Sequence, residues 1–287
     1  MINAQSPCSN QDNSGPCPYD DLYIYHLSGR LTSQDIIPKN TFIGNWEEDD
    51  YSFLFFSQPA FEGIQHLLRT QPQLSYIDSY CMSYEQWQGT SFTAFDHGPF
   101  QIVAPWHDHV HHGPNKRTLI LDPGLVFGTG THPTTRDCLD AVQLAFRRHS
   151  PSSALDLGTG TGILALAVAR LGCQFNLAVD LNLLAATTAA RNVRLNCLEQ
   201  QVMVVQGYAE DFIDCAADLV MANVHYAVMQ KLIQSKGFKN KKCFILSGLM
   251  RSEAKQVKMD VERLPAKIFK SWTHNGIWHT FYGEFDH

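Results

Sequence analysis

Gly158, Gly160 and Gly162 stand between a short apolar run, SALDL, and a helix-like run, GILALAVARLG. Asp180 closes the next apolar run, 22 residues after Gly158. Glycines between a strand and a helix permit a tight turn and close approach of backbone to a ligand. The helix behind them offers unpaired N–H groups. A carboxylate at the end of the second strand is placed to accept both hydroxyls of a ribose. These residues predict a site for a ribose-bearing cofactor. The alternative is a glycine turn that only packs helix on strand.

The spacing narrows the ligand. A dinucleotide fingerprint, G-x-G-x-x-G, needs its third glycine at 163, where the sequence has Ile163. A phosphate-cradling loop needs Gly-Lys followed by Ser or Thr, and the sequence has none here. The observed G-x-G-x-G is the spacing associated with S-adenosylmethionine methyltransferases, whose ligand carries no phosphate.

A second Gly-Thr-Gly-Thr occurs at Gly128–Thr131, within LDPGLVFGTGTHPTT (121–135). Pro133 suits the first turn of a helix, where its missing N–H costs no hydrogen bond. Thr134 and Thr135 then present hydroxyls at a helix N-terminus, with an ordinary helix cap as the alternative role for Thr135. Asn223 follows the fourth strand of the regular region. Many amine-methylating enzymes have Asn or Asp there, and its amide with nearby carbonyls can hold an acceptor nitrogen. Tyr226 is a candidate to stack beside the acceptor and His225 a candidate to take a proton; the alternative is that both cap the next helix.

Together the stretches LDPGLVFGTGTHPTT, LDLGTGTGILALAVARLG, AVD, DLVMANV and ILSGLM resemble the PrmA family, methyltransferases of ribosomal protein L-eleven. The resemblance covers residues 117–250. It implies S-adenosylmethionine as cofactor, giving S-adenosylhomocysteine as product, and methylation of nitrogen on a protein. The implied acceptor is a lysine or terminal amine of ribosomal protein L-eleven. The resemblance carries donor binding onto Thr135, Gly158, Asp180 and Asn223. Thr134, Asp156, Gly160 and Gly162 complete the candidate donor site, and Asn223 with Tyr226 forms the candidate catalytic pair. It also implies that the two Gly-Thr-Gly-Thr copies are not a repeat: the second holds the nucleoside and the first lies over the same ligand. His225 and Tyr226 depart from the small or aliphatic residues that the family more often has after the asparagine. The first 105 residues match the family poorly, apart from Ala104-Pro105-Trp106. These departures leave open methylation of another protein or a small molecule, and a non-catalytic relative of the fold.

The elements that must position these residues follow from texture. From 152 onward, apolar strands alternate with helices, which predicts a parallel sheet covered on both faces. Two aromatic strands around Asn275-Gly276 predict a terminal hairpin. The expected fold is therefore α/β: a Rossmann-like seven-stranded methyltransferase sheet ending in an antiparallel hairpin, preceded by a small α+β domain. DLYIYHL and DYSFLFF alternate as strands, and AFEGIQHLLRT (60–70) repeats its apolar residues as a helix does. The expected division is a flexible N-terminus (1–18), a substrate-recognition domain (19–105), a linker (106–120) and a donor-binding domain (121–287). Trp87, Phe92, Phe95, Phe100 and Trp106 read as core of the small domain or as a protein-binding face.

Composition excludes several classes. The 287 residues are 44% hydrophobic with a net charge of −6, without an apolar run long enough to span a membrane. The eight cysteines include no C-x-x-C pair, which suits a reduced, cytoplasmic protein rather than a disulfide framework or zinc ribbon. Mild acidity argues against direct nucleic-acid binding and suits a basic protein partner. The HDHVHH stretch (107–112) has His111 where a dinuclear hydrolase motif has Asp, so it reads as an interdomain loop rather than a metal site.

Overall fold

The computed structural model describes residues 20–34, 37, 40–89, 92–107 and 116–286. The expected N-terminal segment and all but His107 of the 107–112 stretch lie outside them. The chain divides into two compact units, the smaller holding the described residues up to Thr93 together with Asn182–Leu184.

In the smaller unit, β1 (Asp21–Ser28), β2 (Phe42–Glu48), β3 (Tyr51–Phe56) and β4 (Ser75–Ser83) form an antiparallel sheet in the order β2-β3-β1-β4. Helix α1 (Phe61–Thr70) has the amphipathic spacing read from the sequence and buries Ile64 and Leu67. These meet Tyr25, Leu27, Leu54 and Phe56 in one apolar cluster. Helix α2 (Tyr84–Gln88) starts in a capping box: Ser83 accepts from the Gln86 N–H while Gln86 reaches back to Ser83 N–H.

The larger unit begins at Ala94, earlier than the boundary at 105 that the sequence texture gives. Short strands β5 (Phe95–His97), β6 (Phe100–Val103) and β7 (Arg117–Ile120) form their own three-stranded sheet. β7 pairs parallel to β6, a partner whose pairing no local pattern announces. The 106–120 connection thus leads into a strand, as its sequence reads. The aromatic group divides too: Phe92 and Phe100 are buried, whereas Trp87 is 38% exposed and packs edge-on against Phe55.

Next come α3 (Pro133–Arg148), β8 (Ser153–Leu157), α4 (Ile163–Leu171), β9 (Phe175–Asp180), α5 (Leu183–Leu195), β10 (Val202–Gln206), α6 (Ala209–Phe212) and β11 (Leu219–Asn223). The chain continues through α7 (Tyr226–Gln234), α8 (Lys236–Lys239), β12 (Cys243–Met250), α9 (Arg251–Val261), β13 (Ala266–His274) and β14 (Trp278–Phe285). Seven strands make one sheet in the order β10-β9-β8-β11-β12-β14-β13. β8, β9, β10, β11 and β12 run parallel, and β14 pairs antiparallel to β12 and β13. The hairpin turns at Asn275 and Gly276, both at positive φ (50° and 68°), with the Ile277 N–H donating to His274 O at 3.0 Å and residues 275–277 lying between the paired His274 and Trp278. The central strands β8, β11 and β12 are buried almost throughout, while the edge strand β13 is mostly exposed.

The order places the site. From β8 the chain moves to β9 on one side, and β11 later pairs on the other. The segments leaving β8 and β11 diverge there, opening the crevice where ligands bind in open α/β sheets. The glycine loop follows β8, and Asn223 is the last residue of β11. Among the described residues no helix is long and apolar enough to cross a membrane.

Candidate active site

The glycine loop is built by what it must fit between. Gly158 and Gly160 lie at φ of 76° and 56°, and Gly162, the residue before α4, at 85°. A Cβ on Gly158 would come within 2.3 Å of Val224 Cγ1, and one on Gly160 within 2.3 Å of the Phe127 carbonyl oxygen. Only glycine accepts both the left-handed backbone and the close neighbours. The Gly158 and Thr159 N–H groups donate to Val179 O (2.8 and 3.0 Å), which seats the loop on the end of β9.

Asp180 closes β9 at this point. Its Oδ2 accepts the Gly160 N–H at 2.9 Å, so the carboxylate is oriented by the loop it faces. Asp156, in β8, lies under the loop with 1% exposure. Its Oδ2 accepts from Thr159 Oγ1 (2.6 Å) and from the Ala165 N–H (3.2 Å), while Oδ1 is buried without a hydrogen bond among the described residues. Burial pushes the Asp156 carboxyl up to about 6, more than its two bonds pull it down.

The first Gly-Thr-Gly-Thr lies directly against the second. Thr161 N–H donates to Phe127 O at 3.0 Å, and Thr161 Oγ1 donates to Gly128 O at 2.6 Å. Asn192 on α5 then ties both segments with one side chain. Its Oδ1 accepts the Asp122 N–H (2.8 Å), and its Nδ2 donates to Asp122 O (2.9 Å) and Thr161 O (2.8 Å). Asn196, one turn later, pairs with both backbone groups of Ile120 (3.0 and 2.6 Å). The sequence reading missed both asparagines. Their signal was two amides at i, i+4 in an otherwise good helix, where asparagine has poor propensity.

Helix α3 begins at Pro133, in the first-turn position expected of it. Its N-cap is His132, whose Nδ1 accepts from the Thr134 backbone and bonds Thr134 Oγ1 at 2.7 Å. Burial lowers the His132 pKa, which favours the neutral, accepting imidazole. The ring packs edge-on to Phe127 and Trp278. The cap position therefore belongs to His132, not to Thr135. Thr135 is 1% exposed, and its Oγ1 makes no hydrogen bond among the described residues.

Asn223 Nδ2 donates to Thr134 Oγ1 at 3.3 Å, joining the end of β11 to the start of α3. A Cβ on Gly248 would lie 2.8 Å from Asn223 Oδ1, so glycine at 248 leaves room for that oxygen. The two residues after Val224 behave differently. His225 occupies the N-cap position of α7, and its carbonyl accepts from Val228 and Met229 (3.1 Å each). Its exposed imidazole makes no cap bond. Tyr226 starts α7 with its hydroxyl accepting from Gln230 Nε2 at 2.9 Å. Burial, then Asp260 and Glu253, raise its phenol pKa, so it keeps its proton at neutral pH. Of the candidate residues, Thr134, Asp156, Gly158, Gly160, Gly162, Asp180 and Asn223 are thus joined through the loops leaving β8, β9 and β11.

A family model described as Ribosomal protein L11 methyltransferase (PrmA) matches residues 81–285. The chain belongs to this family. As a PrmA family member it matches the family model beyond the 117–250 stretch that the motifs carry, at both ends. A ribosomal protein L11 methyltransferase of Bacillus cytotoxicus is 33% identical over 166 residues, 57% of this chain and 53% of the relative. One from Halalkalibacterium halodurans is 35% identical over 159 residues, 55% of this chain and 50% of the relative. The chain spans about half the length of the curated relatives it matches. The crystal structure of a ribosomal protein L11 methylase from Lactobacillus delbrueckii subsp. bulgaricus superposes with a TM-score of 0.60 at 24% identity. It covers 68% of this chain and all of the solved chain, a likeness of fold that agrees with the seven-stranded sheet.

Proposed function

We propose that the protein is an S-adenosylmethionine-dependent N-methyltransferase whose acceptor is a lysine or terminal amine of ribosomal protein L11. The observation that carries the reading is the joining of three loops at the sheet's switch point. Asp180 is locked to Gly160, the two Gly-Thr-Gly-Thr segments are bonded to each other, and Asn223 is tied to α3. Family membership and relatives named as ribosomal protein L11 methyltransferases support the substrate.

The residues present fit the donor. Two buried oxygens, Thr135 Oγ1 and Asp156 Oδ1, have no hydrogen bond within the described chain, and the loop glycines admit close backbone approach. Asp180 would hold the ribose hydroxyls, with Gly158, Gly160 and Gly162 against the nucleoside. Thr135 and Asp156 would face the polar groups of the amino-acid end. When bound, S-adenosylmethionine supplies a methyl on a sulfonium sulfur, transferred by in-line displacement.

The protein's part is alignment. A lysine amine has a pKa near ~10.4 and attacks only after losing a proton. Desolvation in the crevice favours that loss, so no side chain is required as base. Asn223 spends its Nδ2 on Thr134, which points Oδ1 as the acceptor for an N–H of the incoming amine. Thr134 is then a positioning residue rather than a donor ligand. Tyr226 contributes its ring, since its phenol stays protonated.

Methyl transfer from labelled S-adenosylmethionine to unmethylated ribosomal protein L11, beside a whole lysate, tests the reading. Label on L11 is expected; label only on another component would move the substrate, and donor binding without label anywhere would refute catalysis. Asn223→Ala should lower kcat by about 100-fold, the scale for losing one aligned polar group, with donor affinity little changed in calorimetry. Asp180→Ala should instead weaken donor binding by about 100-fold, equivalent to roughly 2.7 kcal/mol.

A further inference from the structure

The small unit's sheet has one face packed on α1; the other is buried at one end, at Leu22, Ile24 and Phe55, and reaches solvent at Tyr51 and Tyr80. Tyr25, Leu27, Leu54 and Phe56 pack with α1 on the first face. Pairing registers define the other. Trp46 pairs with Phe53, Phe53 with His26, and His26 with Asp78, so one row crosses all four strands on a single face. The neighbouring rows add Tyr51 opposite Glu48 and Tyr80 opposite Ile24. The His26 and Phe53 rings stack at 4.3 Å with a 12° interplanar angle, and Tyr51 lies 5.3 Å from His26. Tyr51 and Tyr80 are each 44% exposed. Glu48, Asp49, Asp50 and Asp78 are exposed around this row.

Charge separates this unit from the rest of the chain. Residues 20–93 hold ten carboxylates against three Lys or Arg, a net of −7. Residues 94–287 hold seventeen against nineteen, a net of +2. The mild acidity of the whole is therefore concentrated in this unit, and Glu48, Asp49, Asp50 and Asp78 bring part of it to the aromatic row. Rings offer their faces to ammonium and guanidinium groups, and carboxylates around them add attraction and faster encounter. Aromatic rows on sheets also stack nucleic-acid bases, but such surfaces are bordered by cations that neutralise phosphate. A net of −7 repels phosphate.

We propose that this face, from Trp46 through Phe53 and His26 with Tyr51 and Tyr80, docks a basic segment of the methyl-accepting protein. The inference rests on the protein-acceptor reading above, and it supplies the chemistry of recognition: lysine or arginine side chains over aromatic faces, held by Glu48, Asp50 and Asp78.

The test uses the full chain with two independent changes, Glu48→Gln/Asp50→Asn and Tyr51→Ser, all at exposed positions. KM for unmethylated ribosomal protein L11 should rise roughly five- to tenfold in each, the scale of losing one or two such contacts, at unchanged kcat and donor affinity. A fluorescent oligolysine peptide, followed by anisotropy, should bind the parent protein in a salt-sensitive way and both variants more weakly by a similar factor. Unchanged KM and unchanged oligolysine binding in both variants would overturn the docking face. So would preferential binding of a single-stranded oligonucleotide. Oligolysine binding lost in the variants, with no methyl transfer to L11 by the parent, would uphold the face and reject L11 as acceptor.

Discussion

The same four residues, Gly-Thr-Gly-Thr, occur at 128–131 and 158–161 and end up in different structures. All four glycines have positive φ, so the backbone demand is shared. The threonines differ because their neighbours do. Two residues before Gly158 stands Asp156, which takes the Thr159 hydroxyl. The matching position before Gly128 is Val126, and Thr129 bonds Thr131 instead at 2.8 Å. Thr161 is fully buried and reaches across to Gly128 O, whereas Thr131 is exposed. A short motif thus sets which backbone conformations are affordable, and the residues flanking it decide what the loop does.

Substitutions in the two copies can break that comparison. The largest difference is expected between the second glycine of the later copy and the first of the earlier. Gly160→Ala puts a methyl 2.3 Å from a backbone carbonyl at φ 56°, and should cost more than about 3 kcal/mol and abolish donor binding. Gly128→Ala meets Thr161 Oγ1 at 3.1 Å and its backbone nitrogen at an ordinary 3.5 Å, and should cost about 1–3 kcal/mol, from backbone strain. Equal melting temperatures for the two variants would show that the loops are not held as described.

Asp156 gives the next effect. Its carboxyl is raised to about 6, above the unfolded value near 3.8. The folded state therefore binds more protons between those values, and stability falls as pH rises through that window. Asp156→Asn keeps an oxygen for Thr159 and Ala165 and removes the buried charge. Relative to the parent it should gain up to about 3 kcal/mol between pH 4 and 6 and no more above it. Denaturant titrations across that range check the slope; a flat difference would show that burial of Asp156 is not felt. The smallest contrast is between the threonines. Thr161→Val leaves the buried Gly128 carbonyl without that partner and should cost about 2 kcal/mol. Thr131→Val, at the exposed position, should stay within about 0.5 kcal/mol.

What was legible in the sequence is what depends on neighbours along the chain. Strand–helix alternation, the closing Gly172, the Asn275-Gly276 turn and the amphipathic α1 all follow from local pattern, and each is present. The glycine loop and Asp180 were legible because a fixed spacing reflects one βαβ unit. The missed features depend on partners far away in sequence. The 106–120 stretch reads as a connection leading into a strand, and β7 is that strand; its parallel pairing with β6 has no local sign. His132 took the cap that a threonine reading offered to Thr135, since a histidine cap needs a ring held in place by Phe127 and Trp278. Asn192 and Asn196 have no local mark beyond weak helix propensity. Their role exists only once residues 120–122 and 161 lie beside α5.

The Asn192 side chain has a consequence for how ligand order is achieved. One amide holds Asp122 through both of its backbone groups and Thr161 through its carbonyl. Neither loop can fray without releasing the other or distorting α5. The conformational entropy of both is therefore lost when the chain folds, not when a small molecule arrives. A ligand entering between them meets walls already ordered, which favours tight binding from few contacts. The backbone amides of Asp122 and Thr161 should accordingly exchange with solvent as one cooperative unit, on the timescale of opening α5 rather than that of surface loops.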